Sequence, residues 1–154
     1  MNAVTTRIQA EAFATALQIG AATVDEVVEW AIHVIQCETS PHWSFCELVT
    51  CRNLYPPDVA HLLRSVPGAS DHAASQRIVI EMLHDSLEKA PARANQIASS
   101  LYSLAMEDKI ANPNLKALAW WAWDALDLAD SGLIAETREQ IVAQMRTAFA
   151  NARY

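Results

Sequence analysis

Glu81 and His84 match E-x-x-H, a spacing that puts a carboxylate and an imidazole on one side of a helix. Di-iron helical bundles use that pair twice, with two further carboxylates. Here it occurs once, and Glu29 with His33 or Asp71 with His72 would have to complete the set. The chemistry would be that of a metal-dependent helical-bundle enzyme or ligand-binding protein. The same spacing suits a surface ion pair, and neither H-E-x-x-H nor a zinc-type Cys/His cluster is present. His33 and Cys37 stand four apart, as do His42 and Cys46, so each thiol has an imidazole on its own helix face to act as base. Nothing nearby marks an oxyanion hole. With three glycines in the chain, a phosphate-cradling loop has little scope. No catalytic residue, metal or cofactor is therefore assigned, and Glu81 and His84 remain the metal candidates.

Charge gives a second lead. The net charge is −7, which argues against nonspecific binding to nucleic acid or anionic membrane. The basic residues are scattered and give no recognition helix. Between Arg7 and Arg52 there is no Lys or Arg, while Glu11, Asp25, Glu26, Glu29, Glu38 and Glu47 fall inside that interval. The helix dipole accounts for Asp25 and Glu26 at a helix start, but not for the missing cations. Trp30 and Trp43 flank the acids, and tryptophan beside charge is a frequent interface arrangement. A partner-binding face made of Asp25, Glu26, Glu29, Trp30, His33 and Trp43 is expected, directed at a basic protein.

The elements that must carry these groups are helices. Of 154 residues, 52% are hydrophobic, and Gly and Pro number 3 and 6, so a core can form and β-rich loops are disfavoured. The expected fold is all-α: a single compact bundle of about eight antiparallel helices, one domain over residues 1–154, with a tryptophan-rich helix at its centre. The first helix runs from Thr6 to Ile19. The second starts at Thr23, where Thr23 and Glu26 match a capping box, and its Val24, Val27, Val28, Ala31, Val34 and Ile35 repeat as one buried stripe. Ser40-Pro41 signals the start of a short third helix, and Pro56-Pro57-Asp58 restarts the chain for a fourth. A fifth covers residues 71–90, a sixth 95–109, and a seventh ends at Asp130-Ser131-Gly132. The eighth is read from Leu133 to Ala152. No segment is long and apolar enough for a membrane span, and the N-terminus does not read as a signal peptide. Three cysteines without a C-x-x-C pair suggest a reduced, bacterial-type cytoplasm.

In the seventh helix, ALAWWAWDAL places Trp120, Trp121 and Trp123 on several sides at once. A helix apolar on most sides is usually surrounded by others. The indoles are therefore expected to fill the interior, with Asp124 and Asp127 at a rim. A ligand pocket lined by these rings is the alternative.

The 26-residue stretch EVVEWAIHVIQCETSPHWSFCELVTC resembles a local pattern of small bacterial all-helical proteins, some of them similar to immunity proteins of bacterial toxin systems. The shared pattern is E-W-A, a proline turn and a hydrophobic-E-L run; Cys37 and Val49-Thr50 depart from it. The resemblance implies a partner-binding role and assigns no residue to it. Acidic immunity proteins mask basic toxin surfaces, which would fit the charge gap. The reading is thus a non-enzymatic cytoplasmic protein-binding module, which the resemblance implies to be of the immunity type. A self-associating module, a homodimer paired through Ile134, Ile141, Met145 and Phe149, is a further alternative.

Overall fold

Side-chain caps set most helix starts. Thr5 accepts from Ile8 N at the head of α1 (Thr6–Gln18). Thr23 and Glu26 form the expected capping box at α2 (Val24–Cys37), with Thr23 N donating to Glu26 Oε2 at 2.7 Å. Asn112 accepts from Leu115 N at α7 (Pro113–Asp130), and Asp71 Oδ1 accepts from Ala74 N at α5 (His72–Lys89). Each satisfies a backbone donor that the first turn leaves without a helical partner. The computed structural model describes residues 5–152, and every regular element among them is helical: α3 (Trp43–Val49), α4 (Pro56–Leu63), a 3-10 turn (Pro91–Arg93), α6 (Ala94–Met106) and α8 (Arg138–Asn151) complete the order. None of these helices is long and apolar enough to cross a membrane.

Two starts differ from the sequence reading. Ser40 and Pro41 stay outside α3, because His42 Nδ1 takes the cap and accepts from Ser44 N at 3.3 Å. Residues 133–136 stay outside α8, because Thr137 and Gln140 form a second capping box, and a capped turn fixes the entry more firmly than the apolar residues before it.

Contacts cluster into two units, Met1–Val79 and Ile80–Tyr154, with the boundary inside α5. In the first, α1 packs on α4 and α2 on α3. Ala10, Ala14 and Leu17 of α1 join Val27, Ala31, Val34, Phe45, Leu48, Val59 and Leu63 in one buried cluster. Trp30 is packed against that cluster. Its ring lies between Phe13 (5.2 Å) and Phe45 (5.5 Å), and its indole N–H donates to Gln9 Oε1 at 2.9 Å. A partly buried indole N–H needs such an acceptor. Arg7 ties α1 to the loop after α4, donating to Arg64 O at 2.6 Å and Val66 O at 3.0 Å, with Glu11 3.6 Å away.

In the second unit α7 touches both α6 and α8, a central place among these three helices. Its buried stripe is Leu115, Leu118, Ala119, Ala122 and Leu126, the i, i+3, i+4, i+7 pattern of one helix face. The expectation that the indoles fill the interior is corrected here. Trp120, Trp121 and Trp123 are 45%, 39% and 46% exposed. Ala119 and Ala122 hold the buried positions, and side chains of that size let packed helices approach more closely than an indole would permit. Ile141, Met145 and Phe149 of α8 are buried as well, so the face proposed for pairing with a second copy is taken up within the chain.

Candidate interaction surfaces

On α2, Asp25 and Glu29 project from adjacent turns and both are exposed. Arg52 closes on them from the segment after α3: Nη1 is 2.7 Å from Asp25 Oδ1 and Nη2 is 2.6 Å from Glu29 Oε1. The hydrogen bonds that Arg52 donates to Glu29 and Asp25 raise the arginine pKa further, so this cation stays charged. Arg52 is the residue that ends the cation-free interval of the sequence, and its side chain returns into that interval. Glu26 is committed to its capping box. His33 is exposed with its ring 3.6 Å from Cys37 Sγ, and Trp43 is exposed with its ring 5.1 Å from that of His42. Of the six residues read as a partner face, Asp25, Glu26, Glu29, His33 and Trp43 are thus on the surface, and Trp30 is half-buried against the core.

The metal candidates separate. Glu81 is exposed, whereas His84 is buried and stacks on Phe149 at 5.5 Å with its Nε2 3.7 Å from Glu88 Oε1. Glu88 Oε1 also lies 2.9 Å from Arg146 Nε. Among the described residues, no group of three or more His, Cys, Asp or Glu is placed to hold a metal ion. Burial, with the Glu47 charge beside it, raises the Cys51 thiol pKa, which disfavours the reactive thiolate form.

The surface that sequence reading missed is on α7. At 100° per residue, Trp120 sits opposite the buried stripe, with Trp123 to one side and Trp121 to the other. Asp124 and Asp127 fall on the same outward arc and are exposed. Asn95 of α6 donates to Asp127 Oδ1 at 3.1 Å, and Tyr102 of α6 meets Trp120 edge-on. Met106 and Leu128 are exposed as well. No family model, curated protein or solved structure matches the chain significantly. The site must therefore be argued from its own chemistry. Single exposed apolar residues are ordinary, but clustered large ones mark interaction surfaces. Trp120, Trp123 and Tyr102 with two carboxylates among them offer flat apolar area, ring faces that attract cations and charged acceptors for them. The signal that could have revealed this face was the alanine pattern, which marks the buried stripe Leu115-Leu118-Ala119-Ala122-Leu126.

Proposed function

We propose that this chain is a protein-binding module for a basic partner, which it meets through the outward face of α7. The observation that carries the reading is the exposure of Trp120 and Trp123 beside Asp124 and Asp127. A partner's Arg or Lys lies over an indole face while its charge pairs with a neighbouring carboxylate. The indoles supply the apolar anchors that dominate interface energy, and the acids select the partner and speed its approach. Masking of a basic toxin by an immunity-type protein is the finer form of this reading, supported by the sequence resemblance and the net negative charge. The test is affinity capture from the native host with the wild type, W120A/W123A and D124K/D127K. Retention of one basic protein by the wild type, weakened at least about tenfold by either variant, supports it. Capture that survives both variants, or selects an acidic protein, overturns it.

A second reading places the basic partner on α2, supported by the exposed Asp25 and Glu29 and by the absence of Lys or Arg between Arg7 and Arg52. Arg52 then occupies the position of a partner's arginine and must be displaced. On this reading Arg52→Ala strengthens capture, whereas binding on α7 leaves it unchanged.

A further inference from the structure

The flank of α7 away from Trp123 borders a groove against α8. Its larger hollow is about 510 Å³, within the size range of small-ligand sites. Asn114, Ala117 and Trp121 line one wall, and Gln144, Thr147 and Asn151 the other. A second hollow of about 280 Å³ shares Trp121 and Gln144, so the indole stands where the two meet. Among the described residues, no Lys, Arg, Asp or Glu lines the larger hollow, in a protein whose residues are 19% charged. A charged ligand would find no counter-charge there. Thr147 donates its hydroxyl to Ala143 O, which leaves its oxygen able to accept. The amides of Asn114, Gln144 and Asn151 bring donors and acceptors to the same space.

We infer that this groove binds an uncharged, proline-rich segment in the polyproline II conformation. Such a segment makes no internal hydrogen bonds, so its carbonyls require donors from outside. The three side-chain amides supply them. Its pyrrolidine rings offer flat apolar faces, which pack against an indole in the aromatic-lined grooves that recognise this conformation. The spacing agrees. Asn114 and Trp121, like Gln144 and Asn151, are seven residues apart along one helix face, about 10.5 Å, and one polyproline II turn advances about 9.3 Å. The site is separate from the basic-partner face: Trp121 points away from Trp123, and the uncharged lining of the larger hollow, with Glu136 confined to the smaller one, contrasts with Asp124 and Asp127.

The experiment titrates an acetylated, amidated decaproline into the ¹⁵N-labelled full chain, following the side-chain NH₂ signals of Asn114, Gln144 and Asn151. An acetylated, amidated (Gly-Ser)₅ peptide and cellohexaose serve as comparisons. Saturable binding of decaproline is expected, with those three amides shifting. Trp121→Ala weakens it at least about tenfold, as for an aromatic anchor, and Gln144→Ala by about threefold to tenfold, one hydrogen bond. W120A/W123A leaves the affinity within about twofold, since neither residue lines either hollow and sites that share no contact act independently, so failure here is distinct from failure of the basic-partner reading. The flexible (Gly-Ser)₅ binds at least about tenfold more weakly, because it must be ordered first. Lack of saturation, equal affinity for the two peptides, insensitivity to Trp121→Ala, or cellohexaose shifting the amides while decaproline does not would each overturn the inference.

Discussion

Trp120 of α7 meets Tyr102 of α6 edge-on, their ring centroids 5.5 Å apart and their planes at 87°. The pair is a surface contact: both rings keep more than a third of their area in water. Edge-to-face pairs contribute about 0.5–1.5 kcal/mol beyond burial. Trp120→Ala loses that contribution together with the half of the side chain that is buried, and should lower unfolding free energy by about 1–3 kcal/mol. Leu126→Ala, in the buried stripe of the same helix, should cost about 2–5 kcal/mol. Urea denaturation of the two variants checks the order, and a loss at Trp120 that exceeds the loss at Leu126 would mean that the indole is a core residue.

Trp30 behaves differently from the α7 indoles. It packs between Phe13 and Phe45 and donates to Gln9. Trp30→Phe keeps most of the ring and removes the donor, so it should cost about 1 kcal/mol. Trp30→Ala leaves a cavity and should cost about 3–5 kcal/mol. If Trp30→Ala instead leaves stability unchanged while abolishing partner capture, Trp30 is an interface residue.

These contrasts show what was legible in the sequence. Thr23 with Glu26 is a local signal, and the structure uses it. The orientation of α7 was not local. Residues 118, 121, 122 and 125 read as a stripe just as 115, 118, 119, 122 and 126 do, and packing against α6 and α8 selected the one with the smaller side chains. The clasp of Arg52 on Asp25 and Glu29 joins residues 27 and 23 apart, a distance at which single-chain pattern carries no pairing information. The gap in cations before Arg52 was its only trace.

Gly68 has φ +133° and approaches α1 so closely that a Cβ there would stand 2.7 Å from Arg7 Cβ. Gly68→Ala therefore meets strain and a clash together, and should cost about 1–3 kcal/mol. Arg7→Met removes the donor to Arg64 O and Val66 O and leaves Glu11, largely buried, without that cation. Its cost should reach about 3 kcal/mol, as when a buried pair loses one member. Thermal unfolding of both variants tests the clamp. A double variant no worse than Arg7→Met alone would show that the two act through one contact.

Glu26 and Glu29 sit one turn apart but should answer charge reversal differently. Glu26→Lys breaks the capping box, in which Thr23 N donates to its carboxylate, and should cost about 1 kcal/mol. Glu29→Lys removes an exposed pair with Arg52 that solvent and salt screen, so it should cost less than Glu26→Lys. Reversal at Glu29 is thus the cleaner probe of the α2 surface. Equal stability losses for the two in chemical denaturation would show that the cap contributes little.

Asp108 lies just beyond α6 at φ 55°, where Lys109 N closes the helix end onto Leu104 O at 2.8 Å, the backbone pattern of a left-handed cap. Its carboxylate is paired with Lys116. The hydrogen bond and charge of that lysine hold the Asp108 pKa below the ordinary aspartate value. A carboxyl whose pKa is lower folded than unfolded stabilises the folded state above the unfolded pKa, and that contribution is lost as pH falls through the folded one. Asp108 is solvent-exposed, so the contribution is small and screened by salt. Titration of its carboxyl ¹³C signal should give a midpoint below the ordinary aspartate value, returning towards that value in Lys116→Met. Asp108→Asn keeps a residue suited to left-handed backbone and should flatten the pH dependence of stability below pH ~4 without altering it near neutrality. A wild-type midpoint at or above the ordinary aspartate value would show that Lys116 does not hold this carboxylate in solution.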